Sequence, residues 1–350
     1  MKYINAKDLG ILGKAFPEAK GYRRFSDEDI DTMTAIYPKF ANGDEAWPRV
    51  GENSAGLHID FKTDTRIMNI KWSVKYCDLT INLTLINQSG LDVYMKKDGK
   101  YRFLNVGRPV PGKKLFEASI IDKSFKKIPQ GMNEYTVNLG TYDEIKEVFI
   151  GIDDDARIEP AEPNTNGYIA VYGTSITEGG CASRPGMIYT HMLRRELKEE
   201  IINLGLSGSG LLQPQMTDIL NRLDPKIMIM DSLANMNGLE EKVFFENFRY
   251  FYRTFRAGHP KTPILFIGHP SFGNQWVWIG DEGDNHTNTY MKKLLKEWND
   301  PLNYWIEGKD IIGTDFEGTI DTVHATDLAF YRMNEKILPV VKDLLEKYNL

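Results

Sequence analysis

The stretch "IAVYGTSITEGG", residues 169–180, decides the fold predicted for the second half of this chain. Its first four residues are mostly apolar and predict a buried strand, which runs directly into Gly173, Thr174 and Ser175. A serine at that position caps the next helix in some proteins and is a catalytic nucleophile in others. The two interpretations of Ser175 require different partners elsewhere in the chain.

Three more short apolar runs predict further strands of the same sheet. They are "IINLG" at 201–205, "IMIMD" at 227–231 and "ILFIG" at 264–268, and unbroken runs of this kind are typical of strands buried on both faces. Helix-like stretches separate them, and "NTYMKKLLKEW" places its apolar residues on one helical face. This alternation predicts a parallel sheet between two layers of helices. Ligands of such sheets bind at the carboxyl ends of the strands, where Ser175 lies.

The first half of the chain, up to about residue 152, has a different period. In "IKWSVKY", residues 70–76, every second side chain is apolar, and the alternation continues through Leu79, Ile81, Leu83 and Leu85. A period of two places these side chains on one face of a sheet. Asp98-Gly99 is a signal for a two-residue hairpin, and "EYTVNLG" and "EVFIGID" predict later strands. We therefore expect an antiparallel β-sandwich.

The two halves are joined by "DDDARIEPAEPNTNG", residues 153–167, which is rich in acids and prolines and poor in apolar residues. Such a composition predicts a linker or a strap between domains. The 350 residues are then divided into a β-sandwich domain at 1–160 and an α/β domain at 161–350.

Composition and charge exclude several classes of function. A net charge of -6 argues against nucleic-acid binding, and no apolar run is long enough for a membrane span. The first residues are too polar for a signal peptide, so we expect a cytoplasmic protein or an exported one whose signal is not in this sequence. Cys77 and Cys181 fall in different domains, which argues against a disulfide and a cysteine zinc site. No metal and no cofactor are expected.

A nucleophilic serine needs a base and an acid that orients the base. Of the six histidines, His324 lies in "DTVHATDLAF" with Asp321 three residues earlier. Asp-x-x-His is by itself a weak signal, and a surface turn is the alternative. Its position after the last predicted strand and before a terminal helix favours a catalytic pair.

The reaction also needs donors for the negative charge that develops on the attacked carbonyl oxygen. One candidate is the backbone N–H of Ser175. The others are the N–H of Gly208, in "NLGLSGSG", and the side-chain amide of Asn235, in "MIMDSLANM". Ordinary turn and helix-cap roles are the alternatives for Gly208 and Asn235.

Serine, glycine, asparagine and histidine in this order resemble the blocks of the SGNH hydrolases, also called GDSL-type esterases, over about residues 168–350. "CASRPGMIY" at 181–189 and "GLDVY" at 90–94 are similar to segments of a subgroup with a β-sandwich in front, whose signature is Gly-x-Asp-Leu-Tyr. The resemblance implies an α/β fold: a flavodoxin-like three-layer α/β/α domain preceded by a jelly-roll-like antiparallel β-sandwich. Val93 and Ala325 depart from the family pattern, but neither change removes a reacting group.

The resemblance implies a serine esterase that acts on short acyl esters, above all acetyl esters of carbohydrates. Ser175, His324 and Asp321 would form the triad, and Ser175, Gly208 and Asn235 the oxyanion hole. An acyltransferase, lipase or thioesterase with the same triad, a non-catalytic carbohydrate-binding protein and a metal-dependent hydrolase are the alternatives. The expected partner is a small-molecule or oligosaccharide ester, and the oligomeric state is not predicted.

Two further features have open interpretations. Arg184, in "SRPGM", either contacts a substrate oxygen or forms an ion pair, and the ion pair is favoured. Trp276 and Trp278 lie in a long loop before a helix at about residue 286. They either stack on a sugar ring or pack against the sandwich.

Overall fold

The computed structural model describes residues 1–37, 51–162, 164, 166–280 and 283–350. The strands are β1 (Lys2–Asn5), β2 (His58–Thr63), β3 (Met68–Val74), β4 (Leu91–Lys97), β5 (Lys100–Gly107), β6 (Leu115–Ile121), β7 (Asn133–Leu139), β8 (Ile145–Ile152), β9 (Ile158–Pro160), β10 (Tyr168–Gly173), β11 (Glu200–Gly205), β12 (Ile227–Asp231), β13 (Ile264–Ile267) and β14 (Asn303–Ile306). The helices are α1 (Asp27–Ile36), α2 (Leu85–Ser89), α3 (Ser175–Glu178), α4 (Tyr189–Leu197), α5 (Pro214–Leu220), α6 (Leu233–Met236), α7 (Glu241–Gly258), α8 (Gln275–Ile279), α9 (His286–Trp298) and α10 (Asp327–Tyr348). Short 3-10 helices lie at Ala6–Leu9 and Pro185–Met187.

Two antiparallel sheets form the β-sandwich of the first half. Their strand orders are β1-β8-β3-β6 and β5-β4-β7-β2-β9. Apolar residues from both sheets, such as Ile70 and Trp72 of β3 and Phe61 of β2, belong to one buried cluster. Burial alternates along β3 as the period of two predicts, and the predicted hairpin at Asp98-Gly99 joins β4 to β5 with both residues at positive φ.

The sequence prediction is wrong for residues 79–85, where the alternating residues do not continue the sheet. The strand ends at Val74, and the carboxylate of Asp143 accepts hydrogen bonds from the N–H groups of Tyr76 and Cys77. Cys77 has a φ of 59°, which turns the chain away from the sheet. Leu79 and Ile81 are consequently exposed.

The second half contains the predicted parallel sheet. Its strand order is β11-β10-β12-β13-β14, which is the 2-1-3-4-5 order of flavodoxin-like folds. Alternate residues of β10 lie in two different buried clusters: Tyr172 packs with α5 and α7, and Val171 packs with α4 and α10. The domain therefore has the predicted three-layer α/β/α architecture. The edge strand β14, "NYWI", was not predicted, because four residues with one polar side chain carry little periodic signal.

The segment between the halves is more ordered than a linker. Strand β9 lies within it and pairs with β2 at the edge of the sandwich, while residues 163 and 165 of the same stretch lie outside the described residues. Phe16, Phe25, Ile30 and Met33, near the start of the chain, pack into the buried cluster of the α/β half. The division at residue 160 stays a prediction. Among the described residues, no helix has the length and apolar character that a membrane crossing requires.

Candidate active site

Ser175 lies where the sequence predicts, at the carboxyl end of β10. The strand ends at Gly173, Thr174 is the N-cap of α3 and accepts a hydrogen bond from the N–H of Ile176, and Ser175 is the first helical residue. Its side chain is almost buried, with 5% of the residue exposed. A Cβ on Gly173 would stand 1.9 Å from the hydroxyl oxygen of Thr177. The tight strand-to-helix turn that presents Ser175 therefore requires glycine at position 173.

A buried acid holds this short helix against the next strand. Asp231, the last residue of β12, accepts hydrogen bonds of 2.8 Å from the hydroxyls of Thr177 and Tyr189. Burial raises the pKa of Asp231 to about 6, although these two hydrogen bonds favour the carboxylate. Sequence reasoning missed this residue, and the available signal was an acid directly at the end of a buried strand.

His324 and Asp321 form the predicted pair. Nδ1 of His324 lies 2.7 Å from Oδ2 of Asp321, and the backbone N–H of His324 donates to Oδ1 at 2.8 Å. The side-chain amide of Asn82, from the β-sandwich half, donates to Oδ2 at 2.7 Å. Partial burial opposes ionisation of Asp321, but these hydrogen bonds outweigh it and hold its pKa at about 2. The carboxylate is thus charged at neutral pH.

The loop after α3 connects the serine to this pair. The N–H of Gly180 donates to the carbonyl oxygen of Ser175 at 2.8 Å, and the thiol of the next residue, Cys181, lies within 4.8 Å of donor atoms of both Asp321 and His324. The described residues show no hydrogen bond of the Ser175 hydroxyl and none of Nε2 of His324. The structure therefore brings the two into one region without the direct hydrogen bond that a triad needs.

Cys181, Asp321 and His324 also form a set of possible metal ligands. Thiolate, imidazole and carboxylate suit zinc. Burial raises the pKa of the Cys181 thiol to about 12, so the thiol is protonated at neutral pH in the absence of a metal. The expectation that no metal takes part stays a prediction.

The three predicted oxyanion donors have no acceptor among the described residues. Ser175 is the first residue of α3, so its N–H has no partner within the helix. Gly208 lies in an exposed turn and has a φ of 65°. The carbonyl oxygen of the Asn235 side chain accepts a hydrogen bond of 3.0 Å from the N–H of Gly210, which leaves the amide NH2 group available. All three groups are free to donate to a ligand.

The loop with Gly208 is fixed against the nucleophile segment. Leu206 donates its N–H to the carbonyl oxygen of Gly173 at 3.1 Å, and Ser207 donates its N–H to the carboxylate of Glu178 at 2.6 Å. Glu178 is buried, and burial raises its pKa to about 7 even though the guanidinium of Arg24 lies 4.0 Å away. The last residue of α3 thus links Ser175, three residues earlier, to the glycine loop.

Residues of the first half hold the nucleophile segment by direct hydrogen bonds. These run from Tyr142 to the carbonyl of Ser175 (3.2 Å), from Asn87 to the carbonyl of Gly179 (2.8 Å), from Thr84 to the carbonyl of Ser183 (2.8 Å) and from Asn53 to the carboxylate of Glu178. Every one of them is a side chain that meets the segment between Ser175 and Ser183.

The segment "GLDVY" completes this contact. Asp92 is fully buried and accepts hydrogen bonds from Arg184 at 2.7 Å and from the N–H of Gly186 at 2.8 Å. Tyr94 accepts a second bond from Arg184, whose guanidinium also lies 3.9 Å from the ring centre of Phe103. Of the two interpretations of Arg184, the structure supports the ion pair.

Two family models together match most of the chain. Residues 166–342 match the GDSL-like lipase/acylhydrolase family, and residues 1–158 match the N-terminus of SGNH-hydrolase-type esterases, which is named for the signature GxDLY. The chain belongs to the GDSL-like lipase/acylhydrolase family. Membership supports a hydrolase of the esterase or acylhydrolase type.

Solved structures similar to this GDSL-like protein cover nearly its whole length. A protein from Bacteroides ovatus described as a GDSL-like lipase is 32% identical, with 99% of this chain and 98% of that chain covered and a TM-score of 0.85. The salicylyl-acyltransferase SsfX3 of a tetracycline biosynthetic pathway is 15% identical (98% and 97% covered, TM-score 0.72). A family two carbohydrate esterase from Clostridium thermocellum, in complex with cellohexaose, is 13% identical (96% and 99% covered, TM-score 0.63). The latter two show a shared fold. Comparison with curated proteins gave no match.

Proposed function

We propose that this GDSL-like protein is a serine esterase that hydrolyses short-chain acyl esters, with acetyl esters of carbohydrates as the expected class. The observation that carries the proposal is the pair formed by His324 and Asp321. The carboxylate binds one imidazole nitrogen at 2.7 Å and leaves the other free, at the edge of the sheet where Ser175 begins its helix. This is the orientation that a general base requires.

In the first step, Oγ of Ser175 forms a bond to the ester carbonyl carbon and transfers its proton to Nε2 of His324. The tetrahedral oxyanion accepts hydrogen bonds from the N–H groups of Ser175 and Gly208 and from the amide of Asn235. When the carbon–oxygen bond to the alcohol breaks, the alcohol takes the proton from the imidazolium. Water then attacks the acyl-serine by the same route and releases the acid.

The role of Asp321 follows from its pKa of about 2. It is ionised at neutral pH, so it orients the imidazole and stabilises the imidazolium without taking the proton. The Ser175 hydroxyl must turn toward His324 in the substrate complex, and catalytic hydrogen bonds often tighten only at that stage.

Acyl transfer is the second candidate, and the shared fold with a salicylyl-acyltransferase over 98% of the chain favours considering it. Any alcohol that reaches the acyl-serine faster than water diverts the same intermediate. Hydrolysis is preferred as the simpler reaction. Product analysis with added alcohol acceptors separates the two, because a transferase forms a new ester.

The test is labelling by a fluorophosphonate together with hydrolysis of 4-nitrophenyl acetate. We expect the wild type to be labelled at Ser175 and to turn over the ester, with EDTA having no effect. Ser175→Ala should abolish both. Ser183→Ala is the matched control, because this exposed serine lies in the same segment and its hydroxyl makes no hydrogen bond among the described residues. Unchanged turnover in Ser175→Ala would refute the proposal.

A further inference from the structure

A cavity of about 450 Å³ lies in the α/β half, and we name it the Trp278 pocket. Its lining is formed by α8, the loop before α8 and the start of α9. The residues are Asn237, Phe272, Asn274, Gln275, Trp278, Ile279, Asp284, Asn285 and His286.

Two hydrogen bonds link the lining of the pocket to segments of the candidate site, one near Asn235 and one near His324. Asn237 follows the candidate oxyanion residue Asn235 by two positions, and its side-chain oxygen accepts a hydrogen bond of 2.8 Å from Asn285. The N–H of Gly273, next to the lining residue Phe272, donates to the carbonyl oxygen of Thr322 at 2.8 Å, two residues before His324. The pocket is therefore linked to the segments that carry Asn235 and His324.

The chemistry of the lining indicates an uncharged polyhydroxylated ligand. Amide side chains dominate its polar part, with one carboxylate and one imidazole, and none of the described lining residues is a lysine or arginine. A pocket for a phosphate or carboxylate would present such cations. Amides donate and accept hydrogen bonds, as sugar hydroxyls require, and an aromatic ring offers a flat apolar face to the C–H side of a sugar ring.

The exposure of Trp276 and Trp278 also favours a sugar ligand. Trp276 is 50% exposed and Trp278 is 78% exposed, which rules out packing against the sandwich as the explanation for Trp278. Both lie on α8, yet only Trp278 lines the pocket. The chain thus offers a pair of neighbouring tryptophans of which one faces the cavity.

We propose that the Trp278 pocket is the subsite for a sugar unit in the alcohol part of the ester, with the indole of Trp278 stacked on the sugar ring. The proposal rests on the proposed esterase function and adds the residues that select the alcohol. It assigns Trp278 a specificity role separate from the reacting groups.

The experiment compares Trp278→Ala with Trp276→Ala on two kinds of substrate. Wild type should prefer at least one sugar of a panel of mono-acetylated hexoses, xylobiose and cellobiose over propyl acetate in kcat/KM. Trp278→Ala should lower kcat/KM for that sugar ester by about tenfold or more and leave kcat/KM for propyl acetate, whose alcohol has no ring, unchanged. Trp276→Ala should change neither, and Trp278→Phe should recover part of the loss because it keeps a ring.

Three results would overturn the inference. They are equal effects of the two alanine variants, no preference for any sugar acetate in the wild type, and a Trp278→Ala loss confined to longer acyl esters, which would make the pocket an acyl site. Failure of the proposed function differs from all three, since no ester is then turned over and Ser175 is not labelled. In that event, quenching of tryptophan fluorescence by the same sugars in Trp276→Ala, and its loss in Trp278→Ala, still tests the subsite.

Discussion

The β-sandwich and the α/β sheet contribute to the candidate active site in different ways. Every candidate reacting group, from Ser175 to His324, lies on a loop or helix of the α/β half. The side chains that hold these groups come in large part from the other half, and they include Asn82 and Asp92.

This difference gives the sandwich half a structural role at the candidate site. Loops at the end of a parallel sheet are free to diverge, and α3 has only four residues. Hydrogen bonds from side chains of the sandwich half, such as Asn82 and Asn87, hold these loops in place. The sandwich thus supports the loops of the candidate site.

The largest expected effect is a loss of kcat on substitution of the two candidate reacting groups of the α/β half. Ser175→Ala and His324→Ala should each lower kcat for 4-nitrophenyl acetate by about 10⁴ to 10⁶, because either removes the nucleophile or its base. The double variant should be no slower than the single ones. Fully additive losses would indicate that the two residues do not act as a unit.

A second substitution removes one buried ion pair between the halves. Asp92→Ala leaves Arg184 without its carboxylate and should lower the free energy of unfolding by about 3–5 kcal/mol, measured by urea denaturation. Glu297→Ala is the control, since it removes an exposed ion pair with Arg249, and water screens such a pair so well that the loss of stability should be far smaller. Equal losses would show that the buried contact has no special role.

The oxyanion side of the α/β half is tested by Asn235→Ala. Loss of one donor should lower kcat by about 10² to 10³, with KM for the small ester little changed because the bond strengthens in the transition state. A loss expressed only in KM would place Asn235 in ground-state binding instead.

Asp231→Asn tests how a buried acid of the α/β half makes the free energy of unfolding depend on pH. Asp231 has a pKa raised from 3.8 to about 6 in the folded protein, so the folded state binds its proton more tightly than the unfolded state. Its stabilising effect is complete below about pH 4 and is lost as the pH rises through about 6, by on the order of 2–3 kcal/mol. Urea unfolding at pH 4 to 7 should show a fall in stability that is larger in the wild type than in the variant by this amount, because Glu178, whose pKa is also raised, contributes equally to both. If the free energy of unfolding changed with pH equally in the wild type and in Asp231→Asn, the raised pKa of Asp231 would be wrong.

The smallest expected effect comes from the sandwich. Asn82→Ala removes one hydrogen bond to the Asp321 carboxylate, which is partly exposed, and should lower kcat by about 3- to 10-fold with Tm unchanged. Ile81→Ala, at the fully exposed neighbour, should leave kcat unchanged. A fall in Tm that accounts for the lost activity would mean that Asn82 has only a structural role.

The sequence by itself determined the β character of the first half, the alternation of strand and helix in the second half, the place of Ser175 after a strand, and the pairing of Asp321 with His324. These follow from local signals: apolar periodicity, a glycine turn after a strand, and an acid three residues before a histidine. It failed where local signals are ambiguous. Leu79 and Ile81 continue an alternation that is typical of a strand, yet alternation specifies a face only where a neighbouring strand is available for pairing.

Only the tertiary structure decided which distant groups meet. Asn82 contacts Asp321 from 239 residues away, and Asp92 contacts Arg184 from 92 residues away. Nothing in the local sequence around Asn82 or Asp92 specifies such a partner, because the contact depends on how the sandwich half and the α/β half are placed against each other. For the same reason the structure alone separates Trp278, which lines a cavity, from Trp276, two residues earlier on the same helix.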